Sequence, residues 1–253
     1  MNSTYTTLIK KSEQFGAGYL ILIDPDKTDE KKLPEFIRHA TDAGVDGFLV
    51  GGSLIMDNSF HHCIRTIKNN TNVPVIIFPG NVQQVSNEAD AILFLSLISG
   101  RNPEYLIGSH VVAAPMIKKI GLETIPTAYL LIESGKTTSA EFMSNTKPLP
   151  RHKPDIAVAH SLAAEYLGFK MLYLEAGSGA ENSVPEEIIH AISQHTSLPL
   201  IVGGGITSPE IARKKVEAGA KFIVTGNVLE KNGEKDFIKE FVSAIHKKNI
   251  NGE

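Results

Sequence analysis

The stretch that decides the fold is Leu198–Ile206, LPLIVGGGI, in which a short apolar run closes on three consecutive glycines. It continues into Thr207–Glu210, TSPE, which places a hydroxyl side chain and a proline where a helix begins. A second apolar run, Phe222–Val224, ends in a similar way at Thr225-Gly226-Asn227. Glycines let the backbone approach a ligand closely, and a helix N-terminus offers free N–H groups to an anion. Each turn therefore predicts either a phosphate site or a tight turn without a ligand.

The order of the two turns favours phosphate binding. In an eight-fold β/α barrel the phosphate site is commonly built from the loops after strands 7 and 8. The chain has 253 residues, which is the usual length of one such barrel. We therefore expect the triple glycine and the Thr-Gly-Asn turn to be those two loops.

The rest of the chain repeats a strand and then a helix, with glycine or proline at the joints. This alternation is typical of βαβ units and a parallel sheet. The remaining predicted strands are Tyr19–Ile23, Gly47–Val50, Val75–Phe78, Ala91–Leu97, Glu123–Ile132 and Met171–Leu174. The predicted helices are Thr28–Ala43, Met56–Asn69, Asn102–Lys119 with a break, Asp155–Leu167, Pro185–His195, Ile211–Ala218 and Asp236–Lys247. The sequence thus predicts an α/β fold, with one (β/α)8 TIM barrel over residues 1–253.

Two connections depart from this regular pattern. Only Pro79–Asp90 separates the third strand from the fourth, and a crossover with its helix needs at least about 10–12 residues. We therefore predict that the third helix is shortened or missing, which would expose apolar wall to another subunit or to an apolar ligand. The second departure is Ser134–Lys153, a polar insertion that we interpret as a loop over the barrel mouth.

Composition excludes several classes of protein. Hydrophobic residues make up 42% and charged residues 21%, and the net charge of -3 gives no reason to expect nucleic acid as a partner. The N-terminal residues are polar, and no apolar run reaches the roughly eighteen residues of a transmembrane segment. The one cysteine, Cys63, suits a reducing compartment. We expect a soluble cytoplasmic protein.

Two polar residues end the first two predicted strands. In a barrel the chemistry lies at the carboxyl ends of the strands, so Asp24 and Ser53 should face the same mouth. Their oxygen atoms suit Mg2+, which takes few protein ligands and completes its octahedron with water and phosphate oxygens. The alternative for Asp24 is a turn residue preceding Pro25.

Glu175 follows four apolar residues of the sixth predicted strand and precedes a turn of small residues. A carboxylate at the end of a buried strand is costly unless it is paired or used. The residue pattern leaves two interpretations open, a structural hydrogen bond and a general base.

These residues resemble a known family, geranylgeranylglyceryl phosphate synthase. The most specific part of the likeness is Tyr173–Gly179, YLEAGSG, supported by Leu22–Lys27, LIDPDK, and by the two glycine turns. The resemblance runs from the first strand to the last. The long insertion and the Gly-Ser-Gly-Ala form are similar to the group of the family found in some archaea and bacteria.

The resemblance implies a Mg2+-dependent prenyltransferase on a TIM barrel, which joins sn-glycerol 1-phosphate to geranylgeranyl diphosphate and releases diphosphate. It implies Mg2+ ligation by Asp24 and Ser53, where the family often has threonine at the second position. It implies that Glu175 orients or deprotonates the attacking hydroxyl, and that the protein is a homo-oligomer, either a dimer or a hexamer. The residues that would hold sn-glycerol 1-phosphate are Tyr173, Leu174, Glu175, Ala176, Gly177, Ser178, Gly179, Gly203, Gly204, Gly205, Gly226 and Asn227.

A prenyl tail needs an apolar trench, and the predicted gap at the third helix supplies one. We expect its walls to include Phe78, Ile92, Phe94 and the apolar face of Ile107–Ile117. Two other functions remain possible on the same barrel: a phosphosugar isomerase or lyase, and a non-catalytic phosphate-binding subunit. The first would need a second acid or base across the barrel.

Overall fold

The structure, a computed structural model, describes residues 3–56, 59–226 and 235–247. Eight parallel strands pair in chain order, and the eighth pairs with the first, so the sheet closes into a barrel. The predicted TIM barrel is confirmed. The strands are β1 Gly18–Ile23, β2 Gly47–Val50, β3 Val75–Ile77, β4 Ala91–Ser96, β5 Glu123–Leu131, β6 Met171–Glu175, β7 Leu200–Gly203 and β8 Phe222–Thr225.

Helices surround the barrel at most of its crossovers. Within the described residues none of them is both long enough and apolar enough to cross a membrane. A 3-10 turn at Pro25–Lys27 follows β1, and a π-helical turn at Glu104–Gly108 precedes α4. The helices are α1 Thr4–Phe15, α2 Leu33–Ala43, α3 Phe60–Lys68, α4 Ser109–Ile120, α5 Ser139–Ser144, α6 Pro154–Tyr166, α7 Glu186–Ser193, α8 Pro209–Glu217 and α9 Lys235–Ile245.

The barrel has two apolar layers because alternate strand residues point inward and outward. In β1 the buried Leu20 belongs to the interior cluster, whereas Tyr19 and Ile21 belong to the layer beneath the helices. Helix α1, which the sequence did not predict, closes the lower end of the interior with Leu8. The carboxylate of Glu123, at the start of β5, accepts hydrogen bonds from the first backbone N–H groups of α1. The interior is therefore filled at the bottom, and a cleft opens at the carboxyl ends of the strands.

Two predicted helix starts were wrong by several residues. Helix α2 begins at Leu33 rather than at Thr28, because Thr28 closes the preceding 3-10 turn through its N–H and bonds Asp24 O with its hydroxyl. Helix α3 begins at Phe60 rather than at Met56, whose N–H donates instead to the carboxylate of Asp26 at 2.7 Å.

The two irregular connections carry the features that shape the site. Residues 78–90, which connect β3 to β4, form no helix. This confirms the prediction that the barrel's third helix, the one expected after β3, is missing. The insertion at 134–153 does cover the barrel mouth, but it is not a plain loop. It contains the short helix α5, whose first turn is capped by the hydroxyl of Thr138.

Candidate active site

A cleft with a volume of about 660 Å3 opens at the carboxyl ends of the strands. Its walls come from the loops after β1, β2, β6, β7 and β8 and from the insertion around α5. The structure brings together most of the residues that the sequence singled out. Those that line the cleft are Asp24, Ser53, Tyr173, Glu175, Gly177, Ser178, Gly179, Gly204, Gly205 and Gly226.

The other predicted residues lie behind this wall or outside the described residues. Leu174 and Ala176 are buried in the layer between the strands and the helices, so their side chains point away from the cleft. Gly203 ends β7 beneath the hydroxyl of Tyr173. Asn227 lies outside the residues that the structure describes.

Glu175 is the last residue of β6, and it is only 6% exposed. Burial raises the pKa of its carboxyl to about 7, because the charged form loses its hydration. Hydrogen bonds from the Gly177 N–H, at 2.5 Å, and from the hydroxyls of Tyr173 and Tyr129 stabilise the charged form and limit this rise. Glu175 therefore titrates near neutral pH, which is the property of an effective general base.

The first two glycines of the β7 turn make room for these side chains. A Cβ on Gly203 would lie 2.4 Å from the Tyr173 hydroxyl, and one on Gly204 would lie 2.5 Å from Glu175 Oε1. Gly204 also has φ +82, a conformation that favours glycine. The turn thus seats the buried carboxylate and at the same time lines the cleft.

The cleft is also lined by the residues just before α8 and just after β8. Ser208 is the N-cap of α8 and accepts a hydrogen bond from Ile211 N, as the sequence predicted. Thr207 and Gly226 line the cleft beside it. Thr225, the last residue of β8, bonds the buried hydroxyl of Tyr19 at 2.6 Å, which holds this wall against β1. The two glycine turns therefore meet on one side of the cleft, next to the loop of Asp24 that follows β1.

Asp24 has the geometry of a turn residue and also faces the cleft. Its carboxylate caps the 3-10 turn by accepting from Asp26 N, and it pairs with Lys27 Nζ at 2.6 Å. Gly52 packs against it closely, since a Cβ there would lie 3.2 Å from Asp24 Oδ1. Ser53, the next residue, lines the same cleft as Asp24.

These oxygen donors fit a hard cation that keeps most of its ligands from water and substrate. Within the described residues, no cluster of three or more histidine, cysteine, aspartate or glutamate side chains could hold a metal ion by itself. One carboxylate and one hydroxyl suit Mg2+, which is usually held by one or two carboxylates together with substrate phosphates.

An apolar groove opens from the cleft at the place where the third helix is missing. The predicted walls Phe78, Ile92 and Phe94 are present, together with one face of α4 that carries Ala113 and Ile117. The groove and the cleft share residues at their junction, namely Gly52, Ser53, Phe78, Tyr129, Ala140 and Met143. A ligand with a charged head and an apolar tail could therefore occupy both spaces at once.

Several residues of the site were missed from the sequence. Thr138 packs over Gly177 from the insertion, and Lys27 contributes a cation next to Asp24. Lys27 stood within the LIDPDK string, so a signal existed, whereas nothing in the polar insertion marked Thr138 or Met143. At the junction of the cleft and the groove, where the sequence did predict Tyr173 and Phe78, Tyr129 is stacked on Tyr173 with ring centroids 5.4 Å apart, and Phe78 lies against both rings.

Enzymes built on a closed β/α barrel place their chemistry at the carboxyl ends of the strands. Here that end carries a buried carboxylate with a raised pKa, in a cleft continuous with an apolar groove, so the protein is a TIM-barrel enzyme. The chain belongs to the PcrB family, which it matches over residues 8–245.

Relatives and solved structures agree with this assignment over almost the full length. Geranylgeranylglyceryl phosphate synthase of Chitinophaga pinensis is 43% identical over 245 residues, 97% of this chain and 96% of the relative. The enzyme of the same name from Spirosoma linguale is 45% identical over 232 residues, 92% of each chain. The crystal structure of (S)-3-O-geranylgeranylglyceryl phosphate synthase from Thermoplasma acidophilum with its substrate sn-glycerol-1-phosphate is similar with a TM-score of 0.92. It is 34% identical, covering 97% of this chain and 99% of that one.

Proposed function

We propose that this protein is a Mg2+-dependent prenyltransferase that forms the ether bond between sn-glycerol 1-phosphate and geranylgeranyl diphosphate. The observation that carries the proposal is the shared wall between a polar cleft and an apolar groove, with a buried base near the junction. The names of the relatives and the bound substrate of the similar structure support it.

In this proposal sn-glycerol 1-phosphate lies in the cleft with its phosphate on the two glycine turns. The phosphate would be held by Gly204 and Gly205, by Gly226 and Asn227, and by the Gly177–Gly179 turn of β6. The free hydroxyl would then reach Glu175. Anchoring the phosphate orients one hydroxyl at the reacting carbon, which lowers the entropic part of the barrier.

Bond changes in the reaction balance without a further reactant. The hydroxyl oxygen attacks the first carbon of the prenyl chain, and the carbon–oxygen bond to diphosphate breaks. The hydroxyl proton passes to Glu175, which burial has tuned to accept it near neutral pH. The products are the prenylglyceryl phosphate ether and diphosphate.

Asp24 and Ser53 would hold Mg2+ in the cleft, where Ser53 also lines the groove. When bound, Mg2+ neutralises charge on the leaving diphosphate. Lys27, which pairs with Asp24, adds a second positive charge at this place. The metal and the base therefore serve opposite ends of the same displacement.

The groove would hold the prenyl tail. Its walls are mainly apolar side chains from β4, from the segment that replaces the third helix, and from α4. Phe78 and Tyr129 lie where the tail would enter, so the reacting carbon would sit against aromatic rings. Electron-rich ring faces stabilise positive charge of the kind that develops on an allylic carbon.

We further propose a homo-oligomer and a cytoplasmic location. The outer face of α4 and of the π-helical turn before it carries exposed apolar side chains at Ile107, Val111, Val112 and Met116, and apolar surface of this kind is typical of protein contacts. The one cysteine of the chain, Cys63, is buried on α3, which suits a reducing compartment.

The function is tested by incubating the purified protein with radiolabelled sn-glycerol 1-phosphate and a series of prenyl diphosphates, with Mg2+ or with EDTA. We expect a lipid-soluble product that requires Mg2+ and forms best with the twenty-carbon donor. Binding of sn-glycerol 1-phosphate without transfer from any donor would contradict the proposal and favour a phosphosugar isomerase or lyase.

A further inference from the structure

The segment that replaces the third helix contains a buried polar side chain that the reaction itself does not use. Gln84 is 2% exposed and lies between the loops that follow β2 and β3. Its Oε1 accepts hydrogen bonds from Gly80 N at 3.1 Å and from Gly52 N at 3.4 Å, and its Nε2 donates to Gly52 O at 2.8 Å. A single amide thus bonds both polar groups of one glycine in the neighbouring loop.

The two loops bridged by Gln84 are packed backbone against backbone. A Cβ on Gly80 would lie 2.1 Å from Gly52 O, and a Cβ on Gly52 would lie 3.2 Å from Asp24 Oδ1. The backbone of Gly52 is therefore held between Asp24 on one side and Gly80 on the other. Ser53, bonded covalently to Gly52, takes its place in the cleft from this arrangement.

The same segment forms part of the groove. Pro79, Val82 and Val85 line the groove on either side of Gln84 in the sequence. The buried amide consequently connects the groove wall to the loop that carries Ser53. Amide groups are buried in this way at little cost only when their hydrogen bonds are made.

We propose that Gln84 is a positioning residue for the prenyl diphosphate half of the site, holding Ser53 beside Asp24 and in register with the groove. The inference rests on the proposed function, which gives Asp24 and Ser53 to Mg2+ and the diphosphate. Gln84 lines neither the cleft nor the groove, so it acts through Gly52 and Gly80. The sn-glycerol 1-phosphate half of the site, built on β6, β7 and β8, does not depend on it.

The test compares Gln84→Met with Gln83→Met in the full-length protein. Methionine keeps the length of the side chain but removes all three hydrogen bonds, and Gln83 is an exposed neighbour that undergoes the same chemical change. Equilibrium binding is measured for a non-reactive prenyl thiodiphosphate, with Mg2+ and with EDTA, and separately for sn-glycerol 1-phosphate.

We expect Gln84→Met to weaken Mg2+-dependent binding of the thiodiphosphate by about tenfold or more, with sn-glycerol 1-phosphate binding changed less than about twofold. Gln83→Met should match the wild type for both ligands. Equal losses for the two ligands, or no loss for the thiodiphosphate, would overturn the inference.

Two further variants keep the test decisive. If Gln84→Met does not fold, Gln84→Asn replaces it, because asparagine keeps a neutral amide but is one methylene too short to reach Gly52 and Gly80 together. We then expect an intermediate loss confined to the thiodiphosphate, and a loss shared by both ligands would contradict the inference. Ser53→Ala separates the two levels of the argument. If Ser53→Ala leaves Mg2+-dependent binding of the thiodiphosphate unchanged, Ser53 is not a metal ligand. If Ser53→Ala weakens this binding but the Gln84 variants do not, only the positioning role of Gln84 is wrong.

Discussion

Replacing Glu175 by glutamine should abolish most of the activity and yet stabilise the folded protein above neutral pH. The carboxyl lies 6% exposed at the end of β6, and burial raises its pKa to about 7 from an ordinary value of 4.5. Glutamine keeps the shape and its amide oxygen can still accept the hydrogen bond from Gly177 N, while its amide NH2 donates to a tyrosine oxygen, but it carries no charge.

The sign of the effect follows from proton binding. A carboxyl whose pKa is raised on folding stabilises the protein fully below pH 4.5, and this contribution is lost as the pH rises towards and through 7. The interval between the two pKa values, at about 1.4 kcal/mol per pH unit, corresponds to roughly 3 kcal/mol. The difference in free energy of unfolding between Glu175→Gln and the wild type should therefore grow by up to about 3 kcal/mol from pH 5 to pH 8.

Urea unfolding of both proteins at a series of pH values measures this difference. The wild-type kcat/KM should rise with pH through an apparent pKa near 7, because only the ionised carboxylate accepts the hydroxyl proton. The variant should lose about a hundredfold or more in kcat and should lose this pH dependence. A difference in unfolding free energy that stays constant from pH 5 to pH 8, or a pH–rate profile unchanged in the variant, would refute the reasoning.

Three other substitutions test separate parts of the structure. Gly204→Ala should lower the free energy of unfolding, measured by urea titration, more than Gly179→Ala does. Both glycines have positive φ, where alanine costs roughly 1–2 kcal/mol, but only a Cβ on Gly204 meets the Glu175 carboxylate. Equal losses would contradict this packing. Ala113→Trp, in the groove wall, should raise KM for the twenty-carbon donor at least about tenfold and for a ten-carbon donor much less; a uniform rise would argue against the groove. His246, just after α9, contacts the buried carboxylate of Asp46, just before β2, at 2.8 Å. His246→Ala should cost about 1–3 kcal/mol of stability without changing kcat, and a large fall in kcat would show that this contact at the amino ends of the strands affects the site.

The fold could be predicted from the sequence because its signals are local and repeated. Each strand is a short apolar run closed by glycine, proline or a polar residue, and the short connection after the third strand was enough to predict the missing helix. Helix α1 was not predicted because the contacts that stabilise it come from distant parts of the chain. Leu8 packs into the bottom of the barrel, and the carboxylate of Glu123 accepts hydrogen bonds from the first N–H groups of the helix.

The site was predictable to the extent that its residues stand at strand ends. Glu175 is the last residue of β6 and Asp24 directly follows β1, and the cleft contains both. Thr138 and Gln84 lie in connections without periodic pattern, and their contacts join segments far apart in the sequence. Gln84 reaches Gly52 across 32 positions, so no window of sequence could show that pairing.

If one site joins the two substrates, release of diphosphate must depend on sn-glycerol 1-phosphate. Wild-type protein is given geranylgeranyl diphosphate and Mg2+, with and without sn-glycerol 1-phosphate, and both diphosphate and ether product are quantified. We expect diphosphate to appear only when sn-glycerol 1-phosphate is present, in equal amount to the ether lipid. Release that is independent of sn-glycerol 1-phosphate, or its absence under all these conditions, would contradict the account.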